Sequence, residues 1–508
     1  MQLHECILCA TAPSSSTPGP GTISFHDIQT GSALASFKQT SASTHCTAVV
    51  QSSDGHGGFM LAAQPDKSIL NVYNFQKDQL ALKIVLPEKL SAIAMDPGGK
   101  YCAGGTSHGR IFLWEIASGI MFNAWDAHYR RVSVLRFTHD GAALLSGSED
   151  SGVTVWVMSR LLDDDLQNEP PTSYCLLSDH TLPVTDIICG IGRFPTCRVL
   201  SASTDHSVKL WDLSSKSLLS TFYFPEPITC LAWDATERLF FAASANGSIH
   251  QVNLFRQRED KFGHLAMEAI GGGGVSDAIR VNEQDPEGAK KRLIAVGQPV
   301  TVMTISLTSS LLLVGTATGL IQTYDIASHQ LLRTLTMHKG LKITHMMALL
   351  RPPDLVGHVS LSLATGMETK EMVVRPVAPF QRMRDAKPRE AHEVLVMLPP
   401  QSAAHAETFF SYSREEMLRD HAYFMQGSTS GSGSSTNISV QSRVTELEGE
   451  IAKLREQLGK AKSINDTMWE TVVKCLVAGV DQDKQYESND NDGKEDDESG
   501  RRRKRGRV

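Results

Sequence analysis

The sequence predicts an all-β protein, a β-propeller of seven four-stranded blades, followed by a C-terminal α-helical coiled coil. Three observations carry that prediction. A strand segment, ending in Trp or Tyr in most copies, recurs along the first two thirds of the chain, mostly at the roughly 40 to 45 residue period of a four-stranded blade. A Gly/Ser stretch, GSTSGSGSSTN at 427–437, reads as flexible coil and cuts this repeating region off from the rest. Beyond it, apolar residues return every seven positions.

The clearest copy of the repeat is SASTDHSVKLWDLSSKSLLSTF at 201–222: small residues, a turn Asp, an alternating strand ending in Trp-Asp, a polar turn and a second strand. Upstream, SGSEDSGVTVWVM puts Ser146, Asp150 and Trp156 in the places of Ser201, Asp205 and Trp211. Further copies surround Trp114, Tyr324 and His26, and weaker ones surround Tyr73 and Val252. Seven aligned segments predict seven blades. Three more strand-like pieces follow, at 342–350, 358–366 and 371–380. One of them would complete the N-terminal blade, which starts without an obvious innermost strand. All three together would make an eighth blade instead, and seven is the preferred count.

In a WD repeat, a His before the innermost strand, a Ser or Thr on the second, an Asp in the next turn and a Trp on the third form a buried hydrogen-bond chain that specifies one packing. Blade four offers His128, Ser146, Asp150 and Trp156 for this, and blade five offers His180, Ser201, Asp205 and Trp211. A Ser, a His and an Asp together also suggest a hydrolase. Here the same set recurs from blade to blade, which assigns these residues to structure rather than catalysis. Elsewhere the set is degraded: His108, Asn246 and Thr318 stand at the Asp place of blades three, six and seven, which must lean on apolar packing.

The propeller is assigned to residues 1–380, with rim insertions at 161–175 and 256–292. Both are polar and rich in breakers, and Gly271 to Gly274 in the second is a run that no strand or helix would keep in its interior. They read as loops projecting from the rim. Residues 381–426 read as a mixed, helical extension. In 438–478, Val444, Ile451, Leu458 and Asn465 fall seven apart and Leu447, Leu454 and Met468 share the second core position, predicting a coiled coil. Asn465 at a core position costs stability but fixes register and favours a dimer, so self-association or pairing with a partner helix is expected; the alternative is a single helix packed on the propeller. The tail at 479–508 is acidic and poor in apolar residues, which predicts disorder, and then basic. Its Arg501, Arg502, Arg503, Lys504 and Arg505 suit recognition by an import receptor, or contact with RNA phosphates.

A net charge of −7 argues against a surface tuned as a whole to grip nucleic acid. Nine scattered cysteines suggest reduced thiols inside the cell. Cys6 and Cys9 make a lone C-x-x-C, but in a strand they face opposite ways, and no second pair completes a zinc site, so neither metal nor cofactor is expected. No stretch is apolar over the length that spans a bilayer, and no secretory leader is seen, so a soluble intracellular protein is expected. Arg130 and Arg131, just after His128, are candidate contacts to a partner or RNA.

The segments FMLAAQPDKSILNVYNF, LSAIAMDPGGKYCAGGTSHGRIFLWEIASG, AHYRRVSVLRFTHDGAALLSGSEDSGVTVWVMSRLLD and DHTLPVTDI closely resemble the fungal Ipi-type pre-rRNA-processing WD proteins, counterparts of an animal WD-repeat protein of the Rix complex. The resemblance covers about residues 1–380 and the position of the terminal helix, and Tyr101 to Asp163 is its most specific part. It implies a non-catalytic scaffold in the nucleoplasm or nucleolus, joined to a Rix-type helical-repeat subunit and an Ipi-type subunit in a two-fold assembly. That complex would act on large-subunit ribosome precursors, supporting removal of the second internal transcribed spacer and docking of a midasin-type AAA ATPase. The alternatives are a generic WD adaptor, such as a ubiquitin-ligase substrate receptor or a chromatin or replication-licensing factor, and a propeller enzyme, for which no non-repeating acid-base or metal constellation stands out.

Overall fold

The computed structural model describes residues 4–13, 19–51, 58–163, 170–259, 265–269, 277–281, 292–352, 355, 377–384 and 448–469. The chain divides into two compact units, 1–400 and 401–508.

Unit one is a seven-bladed propeller in which each blade has four antiparallel strands, and blade five carries a fifth added in parallel. Blade one is built from both ends of the unit. Its second, third and outer strands are Glu5–Ala12, Gly21–Asp27 and Ala33–Thr40, and its innermost strand is Lys342–Leu350, paired along Glu5–Ala12. Blades two to seven follow at 47–85, 90–126, 132–177, 184–223, 228–295 and 300–335. The first of the three late strand-like pieces therefore closes the ring. The piece at 358–366 and most of the one at 371–380 lie outside the described residues.

Burial explains why the strands read as they do. Inner and middle strands are covered on both faces by neighbouring blades, so Phe59–Ala63 (FMLAA) is buried at every position. Outer strands meet solvent on one face, and Leu80–Val85 comes close to an alternating pattern. The apolar core accordingly lies in layers between blades. One such layer packs Trp156 of blade four with Ile111 and Leu113 of blade three.

The innermost strands share a device. In blades three to seven a register shift falls at one residue near the strand start: Ser91, Ser133, Thr185, Thr229 or Thr301. Each hydroxyl thereby turns to the next blade and donates to a carbonyl of its innermost strand, from Ser91 to Val132 (2.7 Å), Ser133 to Val184 (2.6 Å), Thr185 to Ile228 (2.8 Å), Thr229 to Val300 (3.4 Å) and Thr301 to Ile343 (2.7 Å). The Cys46 thiol of blade two does the same to Ser91, at 3.3 Å. These bonds stitch the ring around its axis.

Two features depart from the sequence expectations. The insertion expected to be a loop carries strands: Phe255–Glu259 and Leu265–Ala269 form a hairpin, and Asp277–Arg280 adds in parallel to the outer strand of blade five. Ile279 and Val281 supply the apolar contacts that hold this addition. The run Gly271 to Gly274 lies outside the described residues. The described end of the expected strand at 371–380, residues 377–380, runs with Gln381 as a strap of extended chain on blade three. Ala378 donates its N–H to Ile116 O (3.0 Å), and Gln381 donates to Gly119 O (2.8 Å). The ring of Phe380 stacks on Trp114 at 5.2 Å and 17°. Trp114 donates its indole N–H to Gln381 O at 3.0 Å, because the residue in the Ser place of this blade is Gly104. A Cβ there would lie 3.0 Å from the Trp114 ring.

In unit two, residues 448–469 form a helix. Ile451, Leu454, Leu458 and Met468 are all exposed on it, at 50, 63, 74 and 60%, and Asn465 is exposed as well. Val444, Leu447, the Gly/Ser stretch and the terminal Arg501, Arg502, Arg503, Lys504 and Arg505 lie outside the described residues.

Candidate interaction surface

Blades four and five each bring four distant side chains into one directional chain. In blade four, the Trp156 indole N–H donates to Ser146 Oγ (3.0 Å), Ser146 lies 2.8 Å from His128 Nε2, and His128 Nδ1 lies 3.1 Å from Asp150. Blade five repeats it with Trp211 to Ser201 (2.8 Å), Ser201 to His180 (2.8 Å) and His180 to Asp205 (2.9 Å). An ionised Asp accepts only, so the His must donate from Nδ1 and accept the Ser hydroxyl at Nε2, while the Ser accepts from the indole. Every donor then has an acceptor, and the order has one direction.

The spacing is that of a Ser-His-Asp triad, yet the chemistry is blocked. Ser146 and Ser201 are fully buried, at 0% exposure, and their oxygens already accept an indole N–H. A nucleophile must reach its substrate; these hydroxyls reach only their own blade.

The chain's outer end shapes the surface. Asp150 also accepts the backbone N–H of Tyr129 (3.1 Å), and Asp205 that of Thr181 (3.1 Å). Each carboxylate thus holds the loop that leads into its blade. Gly109 lets the adjoining turn pass close, since a Cβ there would meet His128 O at 1.9 Å, at a φ of +87°. The loops so fixed open on one face of the ring, because all loops joining an outer strand to the next innermost strand lie on the same side. Tyr129 is 99% exposed there, next to exposed Arg130 and Arg131. Leu182 and Met337 stand exposed on the matching loops of blades five and one. The sequence singles out the two arginines as candidate contacts and does not single out these apolar neighbours. The signal was their place one or two residues from a network His.

The carboxylates also set an acid limit. Burial alone pushes the Asp150 carboxyl up, but the His128 hydrogen bond and the Gly152 and Tyr129 N–H groups outweigh it and hold it at about 2. Asp205 is likewise held far below the carboxylate range: burial pushes it up, and the bonds from His180, Ser207 and Thr181 pull it down by more. A carboxyl whose folded value lies below its unfolded value of about 3.9 adds stability above that pH and loses it as pH falls through the folded value. Denaturant midpoints are therefore expected to drop between about pH 4 and pH 2. Asp150→Asn should flatten part of that drop, and an unchanged slope in the variant would show that the carboxylate is not its source.

A closed ring of four-stranded blades, two of them locked by an interior Trp-Ser-His-Asp set, defines a WD-repeat β-propeller. The WD domain, G-beta repeat family matches residues 121–157, 172–212 and 216–252. The chain is 33% identical to the Pre-rRNA-processing protein IPI3 of Mycosarcoma maydis, over 92% of this chain and 96% of the relative. It is 28% identical to the Pre-rRNA-processing protein crb3/ipi3 of Schizosaccharomyces pombe, over 63% of this chain and 72% of that one. It is 33% identical to the human WD repeat-containing protein 18, over 59% and 65%. The chain belongs to the IPI3 family of pre-rRNA-processing proteins. Among the described residues, no helix is long and apolar enough to cross a membrane.

Proposed function

We propose that this chain is a non-catalytic scaffold subunit of a nuclear pre-ribosome assembly complex, which supports large-subunit rRNA processing and removal of the second internal transcribed spacer. Kinship with proteins named for pre-rRNA processing supports the process. The observation that carries the scaffold role is that the chain's two Ser-His-Asp sets are closed inside their blades, which leaves the loops as the variable, accessible surface. Partners follow from the resemblance already drawn: a Rix-type helical-repeat subunit, an Ipi-type subunit and the pre-ribosomal particle, with docking of a midasin-type AAA ATPase. Tyr129, Arg130 and Arg131 are the preferred contact to a partner or to RNA. The basic tail from Arg501 to Arg505 serves import.

A tagged copy purified from cells, with its companions identified by mass spectrometry, tests this. Large-subunit precursors and the Rix-type subunit are expected to copurify, and depletion should raise the level of precursor RNA that retains the second spacer. Companions drawn instead from a ubiquitin ligase or from chromatin, with spacer removal unaffected, would move the chain to the generic adaptor class.

A further inference from the structure

Blade one departs from its sisters where they most agree. On the third strand, where blades three, four and five carry Trp114, Trp156 and Trp211, it carries His26. On the second strand it carries Cys9 where blades four and five carry Ser146 and Ser201. The register fixes the correspondence: His26 pairs with Ile7, two residues before Cys9, as Trp156 pairs with Leu144, two residues before Ser146. The loop before the closing strand contributes His338 in the place of His128 and His180, and the Asp place, four residues past Cys9, is Pro13. A donor-to-acceptor chain has been exchanged for one thiol and two imidazoles.

Their ligand atoms converge. His26 Nε2 and His338 Nε2 are 2.8 Å apart, Cys9 Sγ is 3.3 Å from His338 Nε2, and all three atoms lie within 4.8 Å of one another. The residues are buried, at 0% for Cys9, 1% for His26 and 7% for His338. As a hydrogen-bond network the trio is incomplete. Where the sister chains begin on an indole whose one N–H is satisfied, this one begins on His26, whose Nδ1 is buried without a partner, and the carboxylate that ends the sister chains is replaced by Pro13. Around a tetrahedral zinc ion, bond lengths of about 2.0 to 2.1 Å to nitrogen and 2.3 Å to sulfur put nitrogens about 3.4 Å apart and sulfur about 3.6 Å from nitrogen. The His26–His338 and Cys9–His338 pairs would open by about 0.6 and 0.3 Å to reach these separations, and Cys9 and His26 already lie within 4.8 Å of each other.

We propose that Cys9, His26 and His338 bind one d10 transition-metal ion, Cu+ or Zn2+, and that this ion clasps the N-terminal strands to the loop that delivers the closing strand. Thiolate and imidazole are the donors both ions prefer. A neutral imidazole offers a lone pair to the ion from Nε2, the atom that both histidines turn to the site. Binding breaks the S–H bond, forms a metal–sulfur bond and releases one proton to solvent, with no change of oxidation state. One thiolate neutralises Cu+ outright in this dry site, whereas Zn2+ would leave a positive charge and need a fourth ligand. Because His338, on the loop before the closing strand, meets Cys9 and His26 only when the ring closes, the metal binds the closed ring alone and stabilises it.

The test uses the full chain, purified reduced and metal-free, and titrated with Cu+ or Zn2+ against a competing chelator. One equivalent of one ion is expected to bind and to raise the thermal midpoint. Cu+ binding would assign the three-ligand, neutral site, and Zn2+ binding a four-coordinate one. Cys9→Ser should lower the affinity at least tenfold. His26→Trp should do the same while restoring the residue of the sister blades, so it remains decisive if the serine variant folds poorly. No stoichiometric binding of either ion, or binding unchanged in His26→Trp, would overturn the proposal.

Discussion

Trp211→Ala is expected to lower the unfolding free energy of the propeller by about 3–5 kcal/mol, the range for truncating a large buried aromatic. Two losses combine. Trp211 is 4% exposed and packs with Val199, Leu213 and Cys197 between blades four and five, so its removal leaves a cavity. It also donates to Ser201 at 2.8 Å, and without that bond the chain through His180 to Asp205 loses its first donor. Trp211→Phe separates the two, since it keeps most of the ring and forfeits only the N–H bond, for about 1 kcal/mol. The denaturant midpoint measures both, provided the slope is unchanged. A loss of under about 1 kcal/mol for the alanine variant would mean that the blade repacks over the site, and that its network is not what fixes it.

The second large effect concerns the helix at 448–469. Ile451, Leu454 and Leu458 are spaced three and four apart, so they share one helix face, and all three are exposed. Burying such a side chain gains about 1.5–3 kcal/mol, and the heptad spacing with Asn465 at a core position points to a second copy of the same helix as the cover. The double variant Ile451→Asp and Leu454→Asp places two charges in that seam and is expected to reduce the light-scattering mass from dimer to monomer. An unchanged mass would rule out self-association through this helix.

The blades were legible in the sequence because a propeller repeats its chemistry at a fixed interval. Asp205 and Trp211 label one blade, Asp150 and Trp156 the next, and the count of seven follows. The closing strand was legible as well, as a consequence of the missing innermost strand at the N-terminus. What escaped was whatever depends on contact between remote segments. No local pattern ties Gln381 to Trp114, which lie 267 residues apart, although Gly104 in a Ser place marks an indole in need of another acceptor. The hairpin and the added strand in the 256–292 insertion were obscured by a polar, glycine-bearing composition that reads as loop. The hydroxyls from Ser91 to Thr301 look like ordinary strand residues until the register shift turns them to the next blade. His26 stands in the aligned copy of blade one, but no local pattern ties it to Cys9 or to His338, and Cys9 reads from its neighbours only as half of a C-x-x-C with Cys6. Cys6 belongs to a different core layer from Cys9, and the ligands that matter come from other strands.

Building the first blade from both ends of the unit has a cost during synthesis. Glu5–Ala12 leaves the ribosome early, but its partner, Lys342–Leu350, emerges about 300 residues after blade one's other strands. At about 5–20 residues per second, that is roughly 15 to 60 s in which an apolar strand shows an unpaired edge. The nascent chain must be shielded over that interval, and a message broken anywhere before the last strand yields an open ring whose bare edge invites pairing with other chains.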